Sequence, residues 1–198
     1  MDTIIERVKA IILKPKDTWA VIKSEATTVP DIFTGYVMIL AALPAFAGFL
    51  GHWIFGISVP FSGRFHLPIF RVLISAIVGY VLTLIGIFIT AKVVEVLAPS
   101  FQARKNSLNA FKVVAYSMTP VWVIGIVTII PDLAPLTILG LYSLYLIYLG
   151  LPHMMDCPPE KALGYTITII LVMIVVYIII GAVAGAFMGL PKVGMPQL

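Results

Sequence analysis

Charge is what this chain has least of. Asp, Glu, Lys and Arg make up 11% of its 198 residues, where soluble domains carry about 25%. It has a single cysteine, Cys157, which cannot form an internal disulfide and implies no oxidised framework. The pattern His-Glu-x-x-His is missing, which removes a zincin-type site, and no Gly-x-Ser-x-Gly elbow marks a serine hydrolase. The first 30 residues lack the continuous apolar core and small-residue cleavage site of a signal peptide. Basic residues are too few, and too close to apolar segments, to indicate a nucleic-acid partner. Every charged side chain can be placed at a helix end or in a loop, so no buried ionisable group marks an ion or proton path. These absences point to a protein without catalysis, metal or cofactor.

What fills the chain is hydrophobic. Apolar residues make up 61% and mean hydropathy is +1.08. Five uncharged runs lie between Asp31 and Arg64, Arg71 and Lys92, Lys112 and Asp132, Asp132 and Asp156, and Lys161 and Lys192. Each reaches the roughly 20 residues that cross about 30 Å of hydrocarbon. In lipid the backbone must satisfy its own hydrogen bonds, so such runs are helices. The expected fold class is all-α: a five-helix transmembrane bundle, with spans at about 32–57, 72–91, 113–130, 133–151 and 163–188. They fall in one membrane domain, 31–191, preceded by an amphipathic segment, 1–28. The length suits one compact bundle and no second domain.

Basic residues set the orientation. With the N-terminus cytoplasmic, Arg7, Lys9, Lys14, Lys16, Lys23, Lys92, Arg104, Lys105, Lys112 and Lys161 face the cytoplasm. Arg64, Arg71 and Lys192 then face outward, so the positive-inside rule favours N-in and C-out. Within the leading segment, Ile4, Ile5, Val8, Ile11 and Ile12 fall in an arc of about 120°, while Leu13 lies off it. Pro15 ends this helix and opens a second, in which Trp19 and Ile22 share a face. Basic residues opposite an aliphatic stripe suit a helix lying among head groups. Packing on the cytoplasmic end of the bundle is the other reading, and the two are compatible.

Local signals refine the spans. Pro44 leaves the Leu40 carbonyl unpaired and kinks the first span, and Pro120 is expected to kink the third. Lys92 can pair with Glu95, three residues on. Ser107 is the expected cap of the helix entering the third span, and Asp132 that of the fourth. Pro131-Asp132 makes a tight hairpin between these two; a re-entrant pair that fails to cross would use the same residues.

Four groups of residues are candidates for function. Gly181, Gly185 and Gly189 recur at i+4 on the fifth span and let another helix approach closely, either within the bundle or in a homo-oligomer or another membrane protein. Tyr142, Tyr145 and Tyr148, with Pro44 and Pro120, could line a groove; otherwise the tyrosines are core. Trp19, Ile22, Arg104 and Lys105 form the expected face for lipid, including anionic head groups, or for a protein partner. His153-Met154-Met155-Asp156-Cys157 gathers metal-ligand types but reads as an ordinary turn closed by Pro158-Pro159.

The run Leu141-Tyr-Ser-Leu-Tyr-Leu-Ile-Tyr-Leu-Gly-Leu151, a proline-bearing loop and Lys161-Ala162 opening the last helix resemble the YIP family, the Ypt/Rab GTPase-interacting membrane proteins, and in particular their bacterial inner-membrane branch. Ser107 to Pro120, with Tyr116 and Pro120 as landmarks, resembles the family's third-helix entry, and Pro15 to Trp19 its Pro-x-x-x-Trp element. The resemblance implies five spans, a cytoplasmic N-terminus and a place in a prokaryotic plasma membrane. Its eukaryotic members act in vesicle traffic by binding small GTPases and one another. This chain lacks their long N-terminal region and their Asp-Leu-Tyr-Gly-Pro element, so GTPase recruitment does not carry over, and no catalytic residue comes with the family. The expected function is a non-enzymatic membrane adaptor or organiser. A channel, transporter or lipid scramblase with a groove through the bundle is the alternative.

Overall fold

The computed structural model describes residues 3–59 and 63–188. Two short helices lead into five long ones. Helix α1 (Ile4–Leu13) starts at a capping box: the Thr3 hydroxyl accepts from the Glu6 N–H, and the Glu6 carboxylate accepts from the Thr3 N–H at 2.8 Å. Hydrogen bonding of the carboxylate to the Thr3 backbone N–H, and to the Thr3 hydroxyl, holds the Glu6 carboxyl below its ordinary pKa. Lys14 breaks the helix, and Pro15 opens α2 (Pro15–Ser24) at the position where its missing N–H costs nothing.

Among the described residues, five helices are long and apolar enough to cross a membrane: Val29–Phe55, Ile69–Phe101, Ser107–Ile129, Pro131–Met155 and Pro159–Phe187. The first begins with a second capping box, Thr28 with Asp31, and passes through a π-helical turn at Phe33–Val37. A two-stranded hairpin, β1 (Ile57–Val59) with β2 (Gly63–Phe65), joins it to the second span. The second span continues past Lys92 because Lys92 Nζ donates to Glu95 Oε2 at 2.9 Å on one helix face.

The third span occupies the centre. Every residue from Ala110 to Pro120 is buried. Its cap is Asn106, not Ser107: Asn106 is extended, and its side chain accepts from the Asn109 N–H at 2.9 Å. The helix interrupts at Met118 and restarts as Thr119–Ile124, so Pro120 lies in a first turn instead of kinking a continuous helix. The segment Gly125–Ile129 then winds as a 3₁₀-helix. The fourth span is 3₁₀ over Pro131–Leu141 and α over Tyr142–Met155. Ile130 holds its cap position without a side-chain bond, and Asp132 lies inside the first turn. Both legs of this hairpin are long enough to cross.

Close approaches fix the order of the helices. A Cβ at Gly51 of the first span would lie 2.4 Å from the Thr128 carbonyl oxygen, and one at Gly125 would lie 2.5 Å from Pro44 Cβ. The second span meets the fifth through its own glycines: Gly86 faces Val176 and Ile180, Gly79 faces Ala184, and Ser75 Oγ donates to the Ala184 carbonyl at 2.9 Å. The expected small-residue groove inside the bundle therefore belongs to the second span. A Cβ at Gly181 or Gly185 would meet nothing within 4 Å, and Gly189 lies outside the described residues.

Candidate functional site

The N-terminal end of the bundle gathers most of the polar contacts between elements. Helices α1 and α2 lie across it as a platform. Trp19 is fully buried, with its indole over Gly150, where a Cβ would sit 2.8 Å from the ring. Ile11 and Ile22 are equally buried. Tyr142 donates its hydroxyl to the Ile12 carbonyl at 3.0 Å, and Lys23 pairs with Asp156 after the fourth span. The expectation that Trp19 and Ile22 form an outward partner face is thus corrected. A large apolar face gains more from packing on helices than from facing water or head groups, and only glycine at 150 leaves room for the indole.

Lys112 is the residue that binds the platform to the core. It is buried in the third span, and its Nζ donates to the Ile22 carbonyl at 2.7 Å and the Glu25 carbonyl at 2.9 Å. A helix ends with unpaired carbonyls and negative dipole, so an ammonium there satisfies both needs. Lys112 is not a loop residue, as the charge pattern implied. Its distance from the cap was the available signal: six residues beyond Asn106 is more than one full turn into the helix.

Beside Lys112 opens a polar cleft of about 530 Å³, lined by α1, the 25–27 connection, the first two turns of the first span and Tyr116 of the third. Arg7 pairs with Glu25 on one wall, and its guanidinium carbon lies 5.8 Å from the centre of the Tyr116 ring. Tyr36 and Tyr116 rings pack at 4.8 Å, and the Tyr36 hydroxyl is tied to Thr119 Oγ1 at 2.7 Å. Asp31 and Gly35 are exposed at the rim. The π turn at Phe33–Val37 contains both Gly35 and Tyr36; π segments concentrate at functional sites because the extra residue re-aims side chains.

The Yip1 domain model matches residues 9–180. The chain belongs to the Yip1-domain family. It is 25% identical over 156 residues, covering 77% of this chain and 80% of the relative, to the inner membrane protein YohC of Escherichia coli K12. The same identity and coverage hold for the YohC protein of E. coli O6:H1, strain CFT073. No solved structure matches. The Yip1 match takes in most of the platform as well as the spans, consistent with helices bolted to the bundle.

On this Yip1 frame the other expected site residues disperse. Pro44 lines a hollow between the first and second spans with His52, Ser75 and Tyr80. Pro120 and Tyr142 share a different one with Ile12 and Leu139. Tyr145 and Tyr148 are largely exposed, at 43% and 40%. Residues three apart on a helix fall back about 60° each, so 142 and 148 point about 120° apart and cannot line one path. Arg104 and Lys105 remain exposed, Arg104 lying 3.9 Å from Asp156. His153 Nδ1 contacts the Leu149 carbonyl, and Cys157 is buried, which together with Glu160 raises its thiol above its ordinary pKa. The cleft residues Arg7, Glu25, Tyr36 and Tyr116 meet only through tertiary structure, and no local spacing announced them.

Proposed function

We propose that this Yip1-domain protein is a non-enzymatic organiser of a prokaryotic inner membrane, N-terminus cytoplasmic, whose platform rests on the anionic head-group layer. The carrying observation is the platform's outer face. Ile5, Leu13 and Val21 are 66%, 74% and 49% exposed, beside exposed Lys9, Lys14 and Lys16, with exposed Arg104 lying 3.9 Å from Asp156, the partner of Lys23, and exposed Lys105 next to it in the chain. Exposed aliphatic residues among lysines suit an interface, at about 1 kcal/mol per basic residue near an anionic surface. The lock by Lys112 and Trp19 supports a platform that holds one posture. Assembly through the open face at Gly181 and Gly185 would let such units cluster.

A photo-crosslinking residue at Leu13, irradiated in living cells, tests this. Lipid adducts that fall when Lys9, Lys14 and Lys16 become Gln are expected. A single dominant protein adduct would replace the lipid surface by a protein partner and make the molecule an adaptor. The channel, transporter or scramblase reading has less support, because its five expected groove residues do not share a path.

A further inference from the structure

Where the fourth span changes from 3₁₀ to α winding, a hollow opens beside it. Eleven residues of 3₁₀, Pro131–Leu141, make a thinner rod than an α-helix would. This rod lies close on the third span, where a Cβ at Gly140 would sit 3.3 Å from Val121 Cγ2. Toward the fifth span it leaves about 570 Å³. The walls are Met118 of the third span, Gly140 and Ser143 of the fourth, and Met173, Ile174 and Tyr177 of the fifth. None of the described lining residues is charged. The volume is that of a small-molecule pocket, and half-exposed Ile174 puts its mouth on the lipid.

One polar atom in this apolar hollow lacks what the fold gives its peers. Thr83, Thr137, Thr166 and Thr168 each donate the hydroxyl to a carbonyl three or four residues back. Ser143 is 1% exposed, and its Oγ has no hydrogen-bond partner among the described residues. Its own helix offers little, because the Leu139 and Gly140 carbonyls share the Tyr142 N–H at the changeover. Burying a hydroxyl unpaired costs stability, which a bound acceptor would restore. A second hydroxyl is underused: Tyr177 donates to the Met118 sulfur at 3.3 Å, and a thioether is a weak acceptor. The hollow therefore offers two donors in need of acceptors. Beside them the Met118 and Met173 sulfurs suit the edge of a flat ring.

Depth narrows the ligand further. At about 1.5 Å per residue from Met155, Ser143 lies roughly 18 Å into the span, near the middle of about 30 Å of hydrocarbon. Phospholipid ester carbonyls sit at the edge of that layer, so an acceptor at this depth belongs to an uncharged molecule that enters it whole. We propose that the hollow binds a lipid-soluble quinone. One ring carbonyl accepts from Ser143 Oγ, and a second ring oxygen takes the Tyr177 proton from the Met118 sulfur. The ring packs on Met118 and Met173, and the hydrocarbon tail leaves past Ile174 into the bilayer. A saturated acyl chain would fill the same volume and leave both donors as they are. This inference goes beyond the organiser reading and does not depend on it, since the platform contributes no residue to the hollow.

The test uses the full chain in phosphatidylcholine nanodiscs, with empty nanodiscs as the baseline for partition into lipid. The probe is 2-decyl-1,4-benzoquinone carrying ¹³C at its carbonyls, compared with decylbenzene, which has the ring and tail without the oxygens. The quinone should be retained above the baseline, roughly tenfold more tightly than decylbenzene, as one hydrogen bond provides. Its infrared carbonyl band should fall in frequency as the bond forms. Ser143→Ala removes an unpaired hydroxyl, so the ligand-free protein should melt no lower than wild type. In that variant quinone affinity should drop roughly tenfold and the band return toward its position in empty nanodiscs. Ile174→Trp, on a half-exposed face, should fill the mouth and abolish retention with the protein still folded. Equal retention of decylbenzene would make the hollow a seat for acyl chains and overturn the proposal. Unchanged affinity and band in Ser143→Ala would overturn it too. A lower melting point of ligand-free Ser143→Ala would show that the hydroxyl already has a structural partner, with the same consequence.

Discussion

The third and fifth spans treat hydrophobicity in opposite ways. Over an 18-residue apolar stretch of each, the third has a mean hydropathy of 1.6 with 72% of the stretch buried, and the fifth reaches 3.1 with 11% buried. In a soluble protein the more apolar helix would be the inner one. Lipid tails are as apolar as leucine, so an exposed Ile or Val has no reason to seek the interior, whereas small and polar residues gain from protein neighbours. The third span accordingly holds Lys112, Ser117, Thr119 and Gly125 among its buried residues. The fifth exposes Leu171, Ile174, Val175, Ile178 and Ile179. Hydropathy in this molecule reports contact with lipid, and burial follows side-chain size and polarity.

If that contrast is right, substitutions against the third span are costly and those on the fifth are not. The largest effect is expected for Gly51→Ala. Its Cβ would approach backbone oxygens of Thr128 and Ile129 at 2.4 and 2.9 Å, and backbone yields less readily than a side chain. Overpacking of about 3 kcal/mol is expected, read as a lower unfolding midpoint in detergent. A midpoint equal to wild type would mean that the first and third spans are not in register here.

Gly150→Ala comes next. The nearest atoms are those of the Trp19 ring, at 2.8 to 3.2 Å, so α2 must lift or tilt. A cost of about 1–2 kcal/mol is expected, with a red shift of Trp19 emission as the indole meets water. Lys112→Met keeps the volume and removes the donor. It leaves the Ile22 and Glu25 carbonyls without it, a loss of about 1–3 kcal/mol confined to the platform. Hydrogen exchange should quicken over residues 15–25 and stay unchanged in the first and fifth spans. Acceleration throughout would show that the platform and bundle unfold as one unit.

The number and type of spans were legible because charge interrupts lipid-facing sequence, and counting uncharged runs needs no tertiary knowledge. Their ends were legible in part. The second helix passes Lys92, as its pairing with Glu95 suggested, and its α-helix stops at Leu97 before Ala98-Pro99-Ser100. The cap of the third, by contrast, is Asn106 and not Ser107, because the extended Asn106 brings its own side chain onto the Asn109 N–H. The inward side of the platform was half legible: the stripe containing Ile11 and the pairing of Trp19 with Ile22 were visible, but what covers them was not, since Gly150 lies 131 residues from Trp19. Lys112 was misplaced for the same reason. Its acceptors are 90 and 87 residues away, and only their convergence allows a lysine that deep. The cleft needs four separate stretches to meet, and a run of apolar residues holds no trace of that meeting.

The smallest effect on folding, and the sharpest test of the contrast, is expected on the fifth span. At Gly185 a new side chain would meet no atom of the bundle within 4 Å. Gly185→Leu should therefore leave the unfolding midpoint within about 0.5 kcal/mol of wild type, since surface changes away from packed features stay in that range. Association is a different matter. If the open face at Gly181 and Gly185 receives another helix, leucine holds the backbones apart and removes the close packing that stabilises such contacts. Energy transfer between labelled copies in vesicles should then fall while folding is unchanged. Unchanged transfer would make the fifth span a lipid-facing wall throughout, and the glycines mere gaps in it. A drop in both quantities would break the comparison itself, because it would place a protein neighbour against a face that the bundle leaves open.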